Sequence, residues 1–244
     1  NWTVALGAAW IPDYVGSDDY RLIPAAAVRG KIGGIGITTR STYLYADLVP
    51  RGAGKVDFDA GPIIGARFNR TGKIKDDVVD LLPERKTAIE VGAFVGASLH
   101  GLTNPYDSLS FRLDLLRDVG SAHESTVIAP DISFSTPLSR WTYVSASLGA
   151  DFVANRFADY YFSVSPAESV LTGLPAFNAD GGMKSWKIGL LANQSVTGDL
   201  TGGLSLFGTV NYSRLVGDFK RSPIVSDRGS ANQWLLAAGL AYTF

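Results

Sequence analysis

Two histidines, His100 and His123, are the only imidazoles in these 244 residues, and imidazole is the side chain that most often serves as general base near neutral pH. A hydrolytic site built on either needs a serine or a pair of carboxylates within hydrogen-bond reach. His100 ends a stripe of inward-facing residues, and His123-Glu124-Ser125 stands at the start of a strand. Neither spacing sets a nucleophile beside a base. Asp18-Asp19 offers paired carboxylates for a cation or for acid–base work, but beside Gly16 it reads equally as a solvated turn. Gly33-Gly34-Ile35-Gly36 has the glycines of a phosphate loop but no helix pattern after it. The absence of cysteine excludes disulfides and thiolate metal sites. The sequence therefore nominates no catalytic, cofactor-binding or metal-binding residue, and no cofactor.

What remains is charge set in rows by the elements that carry it. In Gln233 to Phe244, Trp234, Leu236, Ala238, Leu240, Tyr242 and Phe244 face one way, and Leu235, Ala237, Gly239, Ala241 and Thr243 the other. Strict alternation of this kind is a strand with one face on an apolar medium and one on a crowded or polar interior. Trp2, Val4, Leu6, Ala8 and Trp10 repeat the pattern at the start of the chain. Eight residues at about 3.3 Å each and a tilt near 40° separate the two tryptophans by roughly 20 Å along a membrane normal, close to the height of a bilayer's apolar band between aromatic girdles. Trp2, Trp10, Trp141, Trp186 and Trp234 are the girdle candidates, and Leu240, Tyr242 and Phe244 form a terminal aromatic signal of the kind read by barrel-assembly machinery.

Similar alternation recurs along the chain, and eleven strand-like segments can be counted. A single-chain bacterial barrel with both ends on one side takes an even number. Between residues 33 and 49 the apolar phase shifts from odd positions (Ile35, Ile37) to even ones (Leu44, Ala46, Leu48), so a bulge or tight reversal is expected between Thr38 and Thr42. Splitting that segment gives twelve strands, with ten as the alternative. Pro24 demands a missing ladder bond or a bulge in its strand. Short turns at 137–140 and 197–199 fall on the side of the chain ends, and long loops at 155–183 and 214–231 on the other. Asp76 to Leu82 reads as one or two helical turns ended by Pro83, and Ser165-Pro166-Ala167-Glu168 as a capping box with Gly173 to stop its helix. The expected fold is all-β: one transmembrane antiparallel up-and-down barrel over residues 1–244. Asn1 falls almost on a strand, so the numbering is taken to begin at a mature terminus after signal-peptide removal. The net charge of −1 gives no reason to expect nucleic acid as a partner.

Carried through the strands, the phases place Arg21, Arg29, Arg40, Arg67, Arg112 and Lys187 on the inner face with Asp57, Asp59, Glu90, Asp114, Asp131 and Asp151. An equal count of each sign permits a cross-lumen network and an occluded interior, with Phe94, Tyr143, Phe207 and the capped loop after Ser165 as filling. Arg70 to Lys75 and Lys220-Arg221 are loop cations within reach of lipopolysaccharide phosphates.

Four stretches resemble the MipA/OmpV family of outer-membrane proteins: Tyr14-Val-Gly-Ser-Asp-Asp-Tyr-Arg-Leu-Ile-Pro24, Tyr160-Tyr-Phe-Ser-Val-Ser-Pro-Ala-Glu-Ser169, Arg214-Leu-Val-Gly-Asp-Phe-Lys-Arg-Ser-Pro-Ile-Val225 and Gly239-Leu-Ala-Tyr-Thr-Phe244. The resemblance implies a non-enzymatic barrel integral to the outer membrane of a Gram-negative cell, in contact with membrane lipid and lipopolysaccharide. It also implies a scaffold role joining a lytic transglycosylase to a murein synthase, with uptake or osmotic adaptation by a small-solute channel as the alternative and a hydrolase last. It supplies no catalytic residues.

Overall fold

The computed structural model describes residues 1–52 and 54–244. Among these, twelve antiparallel strands close into one barrel in sequence order, the last pairing with the first. The first six are β1 (Thr3–Pro12), β2 (Tyr20–Ile32), β3 (Ile35–Arg40), β4 (Tyr43–Asp47), β5 (Val56–Arg67) and β6 (Ala88–His100). The others are β7 (Ser108–Asp118), β8 (Thr126–Pro137), β9 (Thr142–Val153), β10 (Gly182–Ser195), β11 (Gly203–Leu215) and β12 (Asn232–Thr243). The phase break is a reversal: β3 and β4 meet at Ser41, whose backbone is left-handed (φ 52°), and pair Arg40 with Tyr43.

Both chain ends lie at one end of the barrel, and the long loops 68–87, 154–181 and 216–231 lie at the other, which makes the latter external. The outward stripe confirms the solvent: Leu6, Leu22 and Phe58 are 63%, 71% and 63% exposed, which no water-facing wall would sustain around a whole barrel. Trp2 and Trp141 lie at the chain-end rim. At the external rim Trp10 stacks on Tyr20 at 3.9 Å, and Trp186, Tyr212 and Trp234 form a contiguous aromatic row.

Closure brings β1 and β12 unusually near. Gly7 faces Gly239 in register, and a Cβ on either would stand 2.1 Å from a backbone oxygen of the opposite strand. That is why the inner face of this seam is built from Ala5, Gly7 and Ala9 against Ala237, Gly239 and Ala241. Pro24 is also explained by position. Trp2 and Phe244 exchange backbone bonds of 2.9 Å, so even residues of β1 bond β12 and odd ones bond β2, which turns the even residues of β2 toward β3. The β2–β3 ladder reaches only to Arg29 and Thr38. Pro24 therefore sits where there is no ladder neighbour to receive a donor.

Candidate functional site: the interior beneath the external loops

At the external end the loops pack a cluster of buried side chains. Helix α1 (Asn155–Phe162) carries Phe157, Ala158, Tyr161 and Phe162, all buried, as i and i+4 pairs on one face. Two short helices, α3 (Gly217–Arg221) and α4 (Pro223–Ser226), add buried Phe219, Ile224 and Val225, and a 3-10 turn at Val79–Leu81 adds Val79. The loop after β1 is pinned to them. Tyr14 donates its hydroxyl to the Ile224 carbonyl at 2.7 Å, and the Gln233 amide accepts from Gly16 N at 2.8 Å while donating to Ser17 O at 2.9 Å. Burial raises the Tyr14 pKa, keeping this donor protonated. Phe162 meets Phe219 edge to face at 5.0 Å, and Ser222 donates to the Phe162 carbonyl at 2.5 Å. Three of the four sequence stretches that carry the family resemblance thus converge in one cap.

Beneath the cap lies a buried polar cluster. Glu90 is fully buried and accepts from Arg67 Nε at 2.8 Å, Arg67 Nη2 at 3.1 Å and the Tyr43 hydroxyl at 2.5 Å. His123 Nε2 lies 2.8 Å from the same carboxylate, while its Nδ1 accepts from Ser125 N at 3.2 Å. A ring nitrogen that accepts a backbone N–H carries no proton, so His123 is the neutral tautomer donating to Glu90 through Nε2. The cap rests directly on this cluster: the Phe157 ring lies 5.1 Å from the Arg67 guanidinium carbon and 4.8 Å from the His123 ring.

The twelve inner-face charges all fall on the inward parity of the register. Their pairing differs from a cross-lumen network. Arg67 pairs with Glu90 on the adjacent strand, Arg112 with Asp114 on its own strand at 2.9 Å, and Lys187 with Asp151 on the adjacent strand at 2.9 Å. Neighbouring inward positions on one wall are simply closer than positions across a barrel of this width. Arg21 reaches Asp13 at 3.8 Å, and Asp57 reaches His100 at 3.1 Å. Arg29, Arg40, Asp59 and Asp131 form no ion pair among the described residues, although Arg40 and Arg112 both lie over the Tyr45 ring. Tyr43, Tyr45, His123 and Lys184 belong to the interior chemistry but were absent from the sequence list. Inward phase on β4 would have found the tyrosines. Lys184 turns inward through a β-bulge between Met183 and Ser185, for which alternation gives no signal.

Two expectations need correction. The capped helix α2 (Pro166–Thr172) has the capping box and the left-handed Gly173 read from sequence but buries no side chain, Val170 being 89% exposed, and what the loop after Ser165 contributes comes from beyond the helix, from buried Leu174 and Ala179. The larger side chains come from α1, whose Phe157, Tyr161 and Phe162 are all buried. Among the loop cations, Arg70 is buried, not presented to lipid. It donates to the carbonyls of Tyr161 at 3.0 Å and Tyr160 at 3.5 Å, neutralising the C-terminal end of α1, and burial lowers its pKa to about 10. Arg221 is paired with Asp218.

A family model described as MltA-interacting protein MipA matches residues 4–244. The chain belongs to the MipA family. No curated protein gives a match. Among solved structures, the NanC porin is similar over 99% of this chain and 100% of its own, with a TM-score of 0.58 at 10% identity. The outer membrane channel DcaP of Acinetobacter baumannii is matched over 100% of this chain and 96% of its own at 9% identity, with a TM-score of 0.44. At these identities the likeness to NanC speaks for the fold alone. Barrel, lipid-facing stripe and family together place this MipA-family chain in the outer membrane.

Proposed function

We propose that this MipA-family barrel is a non-enzymatic scaffold for cell-envelope proteins of murein synthesis and turnover, with a lumen occluded at its external end. The observation that carries occlusion is the cap of Phe157, Tyr161, Phe162 and Phe219, each 2% exposed or less, in which Phe157 and Tyr161 pack on the Arg67–Glu90–His123 cluster and Phe162 packs on Phe219. A protein built to pass solute would not stake four buried aromatics on closing its outer mouth. The family's description as interacting with MltA supports a protein partner, and the resemblance points to a lytic transglycosylase and a murein synthase. The absence of enzymatic activity is supported by the engagement of His123, whose two nitrogens are both occupied and whose side chain is buried. Neither nitrogen can act as base without breaking the cluster.

The test is direct binding of the purified barrel, in detergent, to a purified lytic transglycosylase and to a murein synthase. Saturable binding to at least one supports the scaffold; none to either, with the barrel folded, removes it. A second reading, a small-solute channel, is favoured by Arg29, Arg40, Asp59 and Asp131, inward charges of both signs with no ion pair among the described residues, since free charge along a lumen can orient a dipolar solute.

A further inference from the structure

The external rim holds a cation on the wrong face for a water-filled interior. Arg117 stands on the outward parity of β7, directly above Leu115, is exposed, and has neither an ion pair nor a side-chain hydrogen bond among the described residues. Its register neighbour on β8 is Thr126, and Ala154 beyond β9 bonds through its N–H to the Thr126 carbonyl at 3.2 Å. These three outward positions form the floor of an open groove closed on the loop side by Glu124 and Arg156. Arg156 is held by Glu124 at 3.0 Å through one of its nitrogens, which leaves the rest of its guanidinium free. One step toward the membrane centre, Leu115, Ile128 and Phe152 are aligned across the same three strands and are 50%, 40% and 40% exposed, a continuous apolar shelf.

A guanidinium on a lipid-facing surface is costly at hydrocarbon depth and favourable beside phosphate, where its fork matches phosphate oxygens. The small floor of Thr126 and Ala154 admits an anion, and the shelf beneath suits an acyl chain attached to it. We propose that this groove binds a phosphate of an outer-leaflet glycolipid, with Arg117 as the principal contact, Arg156 as the second, and one acyl chain lying over Leu115, Ile128 and Phe152. Glu124 contributes by orienting Arg156. The inference rests on the outer-membrane placement and is independent of the scaffold reading.

The experiment is native mass spectrometry of the full chain in detergent, titrated separately with diphosphorylated lipid A, dephosphorylated lipid A and phosphatidylglycerol. The expected result is retention of diphosphorylated lipid A at least tenfold above Arg117→Gln, with the dephosphorylated form reduced to the level of that variant. Arg140→Gln, in the chain-end turn, should behave as wild type, and Ala154→Glu, which sets an acid on the groove floor, should lose retention as Arg117→Gln does. Heat-modifiability on unboiled gels verifies folding of each variant. Retention of diphosphorylated lipid A at the wild-type level by Arg117→Gln or by Ala154→Glu, or equal retention of the phosphate-free lipid by the wild type, overturns the site. Phosphatidylglycerol bound as tightly as lipid A overturns its assignment to glycolipid.

Discussion

Replacing Glu90 with alanine removes one carboxylate and strands four donor groups on three side chains at once. Arg67 loses both of its charge-assisted bonds, at 2.8 and 3.1 Å, and Tyr43 and His123 lose theirs at 2.5 and 2.8 Å. The Arg67 side chain is only 20% exposed and that of His123 is not exposed at all, so water cannot fully replace the lost acceptor. Breaking a buried pair by deleting one partner typically costs about 3–5 kcal/mol, because the other charge is left without compensation. The expected loss for Glu90→Ala lies in that range, roughly a thousandfold in the ratio of folded to unfolded barrel at its centre. It is read as the shift in urea midpoint for the barrel in lipid vesicles, at unchanged slope. The mechanism also requires non-additivity. Arg67→Met removes the stranded charge, so Glu90→Ala added to Arg67→Met should cost at least about 2 kcal/mol less than in the wild-type background. A loss under about 1 kcal/mol, or simple additivity, would refute the reasoning and reduce Glu90 to a solvated wall residue.

Three further outcomes follow from the same geometry. Phe157→Ala opens a cavity against Arg67, His123 and Tyr161 and should destabilise by about 3–5 kcal/mol, measured by the same unfolding assay; a loss below 1 kcal/mol would mean the cap is loosely packed. Gly239→Val should abolish the folded, heat-modifiable form on unboiled gels, because its Cβ would stand 2.1 Å from the Leu6 carbonyl oxygen, whereas Gly208→Ala, with nothing within 4 Å, should fold normally. Asp107 is held at a pKa of about 2, first by the Thr103 hydroxyl and then by backbone N–H groups of the turn after β6. A depressed folded pKa gives stability that is present above the ordinary carboxylate value near 3.9 and lost as pH falls toward about 2. The wild-type melting temperature should therefore drop between about pH 4 and pH 2, and Asp107→Asn should lack that part of its pH profile.

Alternation alone carried most of the barrel, because a wall with lipid on one side and an interior on the other forces period two onto every long strand. Even the short β3–β4 hairpin was legible as a phase conflict between Ile37 and Leu44. Lumen pairing was not, because phase says which way Arg67 and Glu90 point but not whether the nearest opposite charge lies beside them or across the barrel. The cap was half legible. The capping box at Ser165 marked a helix that turned out to be exposed, while α1, whose N-cap Ala154 offers no side-chain cap, was hidden despite its Phe157/Tyr161 and Ala158/Phe162 pairs. Cap chemistry reports where a helix starts, whereas burial depends on what the helix meets. His123 was read as an isolated strand-start residue because its partner Glu90 is 33 positions away.

The central claim is that the cap closes the external mouth, and steady conductance of the purified barrel in planar lipid bilayers tests it most directly. The closed cap should hold wild-type current near the baseline of protein-free bilayers, and excision of residues 155–181, which carry α1, should produce stable open steps in barrels that still run as the heat-modifiable form. Stable porin-sized steps from the wild-type protein would contradict the claim and make the channel the better reading.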